Sequence, residues 1–290
     1  MSSVTNTGRR VALIMGVANH RSIAWGCVQE SLAQRVDCII THHPRFAKHV
    51  DRLVAASQKD SNDACSEERQ GKILGQISCS IESEIPQLFQ SQLPDLLQDH
   101  DDGNGRRLDT IVHSIAYADL EQAKTLGQAS WSAYAQAQQI SSYSLIETAR
   151  CAVAGEILSD NASLTALSYL GAVRALLPYS IMGPAKAALE ANVRGLAAEY
   201  GCVKDQDGSV RSLRVNAVSA GPVATLSSRG IPDFGDWSHQ VAQTSPLQRN
   251  VTTQEIASAV QFLSTASGIT GQTIYVDAGY SAVVPLLRHE

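Results

Sequence analysis

Basic clusters are missing from this 290-residue sequence. Lys and Arg number 23 against 28 Asp and Glu, the formal net charge is −5, and no basic block runs along the chain. Binding to nucleic acid depends on clustered Lys and Arg that neutralise phosphates. The composition therefore argues against a nucleic-acid partner and predicts a small molecule or another protein instead.

Long apolar runs and paired cysteines are also missing. No apolar run approaches the roughly 18 residues that a membrane span needs, and the opening stretch MSSVTNTGRR lacks the apolar core of a signal peptide. The six cysteines are scattered without a C-x-x-C pair, which predicts free, reduced thiols. No Cys or carboxylate cluster accompanies His42 and His43, so we predict no metal site. A soluble cytoplasmic protein is the expectation.

Apolar, β-branched runs alternate with longer helical patterns. The runs lie at residues 10–16, 36–41, 72–81, 108–116, 163–170, 213–221 and 272–279, and the helical patterns at residues 22–35, 45–57, 83–99, 141–158, 184–201 and 253–266. Continuous hydrophobicity is typical of strands that are covered on both faces of a parallel sheet. The sequence therefore predicts an α/β fold: a Rossmann-type doubly wound parallel sheet of about seven strands flanked by helices.

One domain over residues 1–290 is the expectation at this length. Two polar stretches, residues 58–72 and 98–107, are rich in Asp, Asn, Gly and charge. They predict surface insertions, because such segments can be solvated without disturbing a core.

A glycine-rich turn, GVANHRSIAWG, follows the first predicted strand at residues 16–26. Gly16 permits a sharp exit from the strand, Ser22 can cap the next helix, and Gly26 predicts close packing of that helix on the sheet. Backbone N–H groups at such a helix start suit a pyrophosphate. The spacing differs from G-x-G-x-x-G, so taken alone it is equally compatible with a purely structural turn.

Two tyrosines and a lysine lie in SYLGAVRALLPYSIMGPAKAALE, residues 168–190. Proline belongs in the first turn of a helix, so Pro184 predicts a helix start near residues 182–183, with Tyr179 on the preceding turn. Taken alone, Tyr169, Tyr179 and Lys186 are more typical of two half-buried aromatics and a solvated lysine.

Several blocks together resemble, in the same order, the enoyl-acyl-carrier-protein reductases, a divergent branch of the short-chain dehydrogenase/reductase superfamily. The likeness extends from about residue 8 to residue 284, and the Tyr-x6-Lys spacing of Tyr179 and Lys186 distinguishes this branch from ordinary superfamily members. The resembling blocks are GVANHRSIAWG, HSIAYA (113–118), SSYSL (141–145), LSYLGAVRALLPYSIMGPAKAALEANVRGLAAEYG (167–201), VNAVSAGPVATLSSRGIPDF (215–234) and GITGQTIYVDAGYS (268–281).

The resemblance implies an oxidoreductase that transfers hydride from NADH or NADPH to the β-carbon of an enoyl thioester carried by acyl carrier protein. It implies that Tyr179 stabilises the enolate, that Lys186 binds the nicotinamide ribose and that Tyr169 lies near the substrate carbonyl. It also implies fatty acid biosynthesis and a homotetramer.

The same resemblance assigns nucleotide and substrate contacts. Those for the nucleotide are Gly16, Ser22, Ile23, His43, Ser80, Ile81, Ser114, Ile115, Ala116, Lys186, Pro222, Val223 and Thr225. Those for the substrate are Tyr169, Tyr179, Ala118, Ile231 and Phe234, the last two in a flexible substrate loop near residues 224–245.

The chain departs from the family's pattern around the adenosine. Ser80 stands where family members usually have an Asp that meets the adenine, so that carboxylate acceptor is lost. The second strand ends without an acidic residue, and His43, at the position that selects the nucleotide, is followed by Arg45 and Lys48. Charge pairing with a 2′-phosphate leans slightly toward NADPH, although the same residues are equally compatible with a solvated basic helix start.

Residues 120–138, which border the acyl pocket in the family, differ from the family's usual sequence and contain Trp131 and Tyr134. An alternative is therefore a reductase of the same fold that acts on a specialised-metabolite alkene, carbonyl or imine. A third hypothesis is a non-catalytic nucleotide-binding homologue. The presence of Tyr169, Tyr179 and Lys186 argues against it.

Overall fold

Seven parallel strands form the central sheet in the computed structural model, which describes residues 9–60, 70–101, 103, 105–176, 179–204, 208–225, 228 and 233–283. The strands are β1 (Val11–Met15), β2 (Asp37–His42), β3 (Ile73–Ser78), β4 (Leu108–His113), β5 (Leu158–Tyr169), β8 (Leu213–Ala220) and β9 (Thr273–Val276). Their order across the sheet is β3-β2-β1-β4-β5-β8-β9, and every neighbouring pair is parallel. The predicted Rossmann-type sheet is thus confirmed.

Helices cover both faces of the sheet. Successive strand residues point to opposite faces, so Leu13 of β1 packs in one apolar layer with Phe89, whereas Ile14 packs in the other with Val28 and Ile256. The helices are α1 (Ile23–Ala33), α2 (Ala47–Asp60), α3 (Ile85–Gln87), α4 (Leu93–Asp99), α5 (Trp131–Gln138), α6 (Ser144–Ala154), α7 (Met182–Tyr200), α8 (Phe234–Thr244) and α9 (Thr253–Thr265), with π-helical turns at Leu88–Gln92 and Gln139–Tyr143.

The structure corrects several predicted boundaries. β5 begins at Leu158, within the predicted helix 141–158, because α6 already ends at Ala154. Helical structure before it starts earlier than predicted, at α5, where the Ser130 hydroxyl caps the helix by accepting from Ala133 N–H. A short antiparallel pair, β6 (Val203–Lys204) and β7 (Val210–Arg211), lies between α7 and β8.

Gly26 was predicted to bring α1 close to the sheet, and this is wrong. A Cβ atom on Gly26 would lie 3.1 Å from the Thr253 side chain, at the start of α9. The missing side chain therefore lets two helices on one face approach each other.

The described residues contain no helix long and apolar enough to cross a bilayer. Cys27, Cys38, Cys79, Cys151 and Cys202 carry free thiols. Several described residues of the predicted insertions, such as His100 and Asp101, are exposed, but Gly71 is buried and Arg106 is half-buried. Residues 61–69, 102 and 104 lie outside the described part.

Candidate active site

The predicted nucleotide-binding residues gather along one edge of the sheet. In a parallel sheet the carboxyl ends of the strands share an edge, and ligands bind in the crevice there. The residues that follow these ends are Gly16 after β1, His43 after β2, Ser80 and Ile81 after β3, Ser114, Ile115 and Ala116 after β4, and Pro222, Val223 and Thr225 after β8.

Gly16 follows β1, which is paired with β4 along its length. The segments that leave these two strands lead to helices on opposite faces of the sheet, α1 on one face and α6 on the other. The φ of Gly16 is +90°, and a Cβ atom there would lie 2.2 Å from the carbonyl oxygen of Ser114. Only glycine fits this backbone contact. Six residues later the hydroxyl of Ser22 accepts from Trp25 N–H at 3.2 Å and caps α1, as predicted, with Ile23 as the first helical residue.

The turn after β2 carries an ordered arginine. His43 Nδ1 accepts from Arg45 N–H at 3.2 Å, so the His43 ring serves as the cap of this turn. The guanidinium of Arg45 lies 4.5 Å from the ring centroid of Phe46 and 5.8 Å from that of Tyr117, in the segment after β4. Arg45 thus projects its charge between the turns that follow β2 and β4.

Ser80 donates hydrogen bonds to two carboxylates that follow it in sequence. Its hydroxyl donates to Glu82 Oε2 at 3.1 Å, and its N–H donates to Glu84 Oε2 at 2.5 Å. Acceptor oxygens are therefore present beside Ser80, although the strand-ending Asp of the family is not.

Tyr169 and Tyr179 meet at the carboxyl end of β5. Their ring centroids are 4.9 Å apart at an interplanar angle of 57°. A Cβ atom on Gly171 would lie 2.6 Å from Tyr179 Cδ1, so this glycine makes room for the ring. The hydroxyl of Tyr169 is buried and has no hydrogen-bond partner among the residues that the structure describes. Buried polar groups are almost always paired, so this hydroxyl retains an unused donor and acceptor beside the Tyr179 ring.

Both phenols are protonated at ordinary pH. Desolvation raises the pKa of Tyr179 well above its usual range. Desolvation raises the pKa of Tyr169 as well, and the neighbouring Tyr179 adds to that rise. Two neighbouring neutral phenols are O–H donors of the kind that can stabilise an oxygen on which negative charge develops.

Helix α7 begins at Met182, as Pro184 predicts, and Tyr179 lies on the turn before it. Ser180 completes that turn with a φ of +31°. One turn into the helix, Lys186 is only 3% exposed, and its Nζ donates to the Leu167 carbonyl at 2.7 Å. Burial lowers the pKa of Lys186 to about 8 from its ordinary value, and Glu190 opposes that shift.

Helix α8 closes the tyrosine pair from the other side. The predicted substrate loop near residues 224–245 is helical from Phe234, and Asp233 precedes the helix in the left-handed conformation. The Trp237 ring lies 5.6 Å from that of Tyr169 and 5.5 Å from that of Phe234. Trp237 was not among the predicted contacts. Its spacing of three residues from Phe234, which places both rings on one side of a helix, could have indicated it. The predicted contact Ile231 lies outside the described residues.

The turn after β8 is held by its own hydrogen bonds. Thr225 N–H donates to the Val223 carbonyl at 2.9 Å, and the Ser228 hydroxyl donates to the Thr225 carbonyl at 2.9 Å. Ala118 packs with Ala133 of α5 and with Ile181, just before α7. Trp131, in contrast, is 79% exposed and stacks on Tyr134 with ring centroids 6.3 Å apart.

Known proteins similar to this chain are enoyl-acyl-carrier-protein reductases. A family model described as Enoyl-(Acyl carrier protein) reductase matches residues 91–281. An enoyl-acyl-carrier-protein reductase (NADH) FabI of Nostoc sp. is 37% identical over 281 residues, which cover 94% of this chain and 96% of that protein.

An enoyl-acyl-carrier-protein reductase (NADPH) FabI of Staphylococcus aureus is 33% identical, covering 96% of this chain and 99% of that protein. The crystal structure of the enoyl-acyl-carrier-protein reductase of Anaplasma phagocytophilum in complex with NAD is similar at a TM-score of 0.78 and 31% identity, covering 98% of each chain. The sequence blocks, the sheet order and these relatives lead to one conclusion: the chain belongs to the enoyl-acyl-carrier-protein reductase family.

Proposed function

We propose that this protein is an NAD(P)H-dependent enoyl-acyl-carrier-protein reductase. The observation that carries the proposal is the contact between Tyr169 and Tyr179 at the sheet edge where Gly16 and Lys186 also lie. The buried hydroxyl of Tyr169 has no hydrogen-bond partner among the described residues, so it can bind a substrate. Relatives of both nucleotide types, named for NADH and for NADPH, support the use of a nicotinamide cofactor.

The chain's residues fit a dinucleotide. Gly16 leaves no room for a side chain against Ser114, and a backbone turn of this kind leads into the N-terminus of α1, where a pyrophosphate is favoured. Lys186 has three N–H donors, one of which is used by Leu167, so others can reach ribose hydroxyls. When bound, the nicotinamide supplies the hydride.

The two tyrosines act on the substrate carbonyl oxygen. Hydride adds to the β-carbon of the enoyl thioester, the C=C π pair forms a double bond between the α-carbon and the carbonyl carbon, and the C=O π pair moves onto oxygen. The resulting enolate then takes a proton from solvent water at the α-carbon. We assign the O–H of Tyr179 to the developing oxyanion and that of Tyr169 to the same carbonyl region. Phe234 and Trp237 exclude water from this pair, which strengthens each hydrogen bond.

A labelled reduction tests the proposal. Purified protein is mixed with trans-enoyl thioesters of several chain lengths, on acyl carrier protein and on coenzyme A, and with deuterium-labelled NADH or NADPH. We expect loss of nicotinamide absorbance and deuterium at the β-carbon of the product. No turnover across this panel would refute the assignment, and deuterium on a carbonyl or imine carbon of a different substrate would establish the specialised-metabolite alternative.

For the nucleotide we propose a preference for NADPH that rests on Arg45. The guanidinium is held over Phe46 beside the turn after β2, and a 2′-phosphate would pair with it there. Arg45→Gln should weaken NADPH binding by about 10-fold, since charge-assisted hydrogen bonds contribute about 1.5–3 kcal/mol, and should leave NADH binding within about 2-fold.

The matched control for this prediction is Arg52→Gln, which removes the same charge from an exposed position on α2. Dissociation constants for both nucleotides are measured by fluorescence titration. A similar loss for NADPH and NADH in the Arg45 variant would show that Arg45 does not select between them.

Trp237 should matter more to the substrate than Trp131. Trp237→Ala removes the ring that contacts Tyr169, and we expect kcat/KM for the enoyl thioester to fall about 10-fold, since an aromatic pair contributes about 0.5–1.5 kcal/mol beyond buried area. Trp131→Ala, the same substitution at an exposed site, should change kcat/KM by less than about 2-fold. A larger effect at Trp131 would place the pocket wall on α5.

The remaining proposals follow the family. We propose a homotetramer in the cytoplasm that serves fatty acid biosynthesis. Analytical ultracentrifugation measures the assembly directly, and a monomer at micromolar concentration would contradict it.

A further inference from the structure

Three consecutive residues at the end of β5 each hold a different part of the proposed site. The Leu167 carbonyl accepts from Lys186 Nζ at 2.7 Å, the Ser168 hydroxyl donates to Glu190 Oε1 at 2.5 Å, and the Tyr169 ring lies 4.9 Å from that of Tyr179. The strand therefore fixes the helix α7 at two points one turn apart, beside the tyrosine pair.

Glu190 is an unusual residue to bury at the second of these points. It is 6% exposed, and it lies four positions after Lys186 on α7, where side chains of a helix meet. An isolated buried carboxylate is strongly disfavoured. Its contact with Ser168 is a short bond between two buried side chains, so the site is built around the carboxylate.

The charges around Glu190 and Lys186 come from several elements. Arg194 and Lys186 of α7 and Ser168 of β5 favour the ionised carboxylate, against the burial that raises the pKa of Glu190. His113 of β4 faces Lys186, but burial lowers the pKa of His113 to about 3, so that it is neutral at physiological pH. Tyr275 of β9 also lies within electrostatic reach of Glu190. Glu190 is accordingly the group that opposes deprotonation of the lysine.

We propose that Glu190 is a positioning residue for the reductase: through Ser168 it fixes α7 against β5, and through its charge it keeps Lys186 an ammonium that can bind the nicotinamide ribose. This inference rests on the role of Lys186 in the proposed function. It adds a residue that touches neither nucleotide nor substrate and acts through the lysine.

Nucleotide binding as a function of pH tests the inference without any enoyl substrate. Wild-type protein, Glu190→Gln, Ser168→Ala, Lys186→Met and Glu199→Gln are each titrated with NADPH and with NADH from about pH 6 to about pH 9, following nucleotide fluorescence. Gln at position 190 retains an acceptor for Ser168 and removes only the charge. Glu199→Gln is the matched control, because Glu199 is exposed on the same helix.

Wild-type affinity should be level at low pH and fall as the pH rises through about 8, the pKa of Lys186. In Glu190→Gln that fall should begin about 1 pH unit lower, since a nearby opposite charge shifts a pKa by about 1–3 units. Affinity should then be about 5-fold weaker near pH 8 and unchanged near pH 6. Ser168→Ala should weaken binding a few-fold at every pH, and Lys186→Met should abolish the pH dependence.

The outcomes separate the two proposals. If wild-type protein binds neither nucleotide, the proposed function fails and the inference fails with it. If wild-type protein binds and Glu190→Gln follows the same profile as Glu199→Gln, only the inference about Glu190 is overturned. A pH dependence that survives in Lys186→Met would also overturn it, because the titrating group would then be another residue.

Discussion

Tyr179→Phe is expected to lower kcat by about 100- to 1000-fold, the effect of removing one hydrogen-bond donor from an oxyanion site. The phenylalanine ring fills the same space above Gly171 and against Tyr169, so packing is retained. The interaction with the substrate oxygen strengthens only as negative charge develops there, and its loss should therefore appear in kcat and kcat/KM together. Nucleotide affinity should change by less than about 2-fold.

Stopped-flow reduction with deuterium-labelled nucleotide measures this prediction. If the hydride step is slowed, the isotope effect on turnover should be at least as large in Tyr179→Phe as in the wild type. Tyr169→Phe is the matched control, because it removes a hydroxyl from the neighbouring ring. A larger loss of kcat for Tyr169→Phe than for Tyr179→Phe would reverse the two roles.

The pH dependence gives a second check on Tyr179. Desolvation raises the pKa of Tyr179 above its usual range, so the phenol remains a donor throughout the pH range of ordinary assays. We expect no fall in kcat from ionisation of this group below about pH 10, its unperturbed value. An alkaline limb near neutral pH that disappears in Tyr179→Phe would mean that the phenol acts as an anion, which contradicts the assigned role.

The strands could be predicted from the sequence because parallel strands buried on both faces carry an unbroken apolar signal. β1, β2 and β8 are buried at every position, as expected for strands that helices cover on both faces. Pro184 gave the start of α7 for an equally local reason: its ring and its missing N–H restrict it to the first turn of a helix. Local constraints of this kind are visible without any tertiary structure.

Contacts between distant elements could not be predicted in the same way. In the sequence Glu190 is one of several helical glutamates, and only the fold shows that Ser168 of β5 hydrogen bonds to it. Likewise, only the fold shows that Gly26 faces α9 and not the sheet. The acceptors beside Ser80 come from Glu82 and Glu84, which sequence comparison with the family's strand-ending Asp does not indicate. These pairings depend on the register of packed elements, for which a single sequence has no periodic signal.

Helix α8 was missed for a different reason. The segment is short of strong helix signals: Gly235 lies in its first turn, and Asp233, in the left-handed conformation, makes no side-chain cap. Packing stabilises it instead, through Trp237 on Tyr169 and through the buried Val241. Tertiary contacts of this kind override weak local propensity.

Lys186→Met is expected to weaken nucleotide binding by about 10- to 100-fold, because hydrogen bonds from a charged group contribute about 1.5–3 kcal/mol. Methionine occupies a similar volume in the buried position below the Leu167 carbonyl. At saturating nucleotide, kcat should fall much less than in Tyr179→Phe, since the ribose contact is already made before the reaction begins. Dissociation constants and single-turnover rates measure the two quantities separately.

Folding must be separated from binding in this variant, because removing the ammonium takes one of two cationic neighbours, Lys186 and Arg194, from the buried Glu190. Lys186→Met/Glu190→Gln removes both charges, and thermal unfolding of the single and double variants should show the double variant to be the more stable. If the single and double variants lose the same nucleotide affinity, the loss is caused by the missing lysine and not by a distorted fold. Equal effects of Lys186→Met and Tyr179→Phe on nucleotide affinity would contradict the division of roles, since the geometry gives the lysine to the nucleotide and the tyrosine to the substrate oxygen.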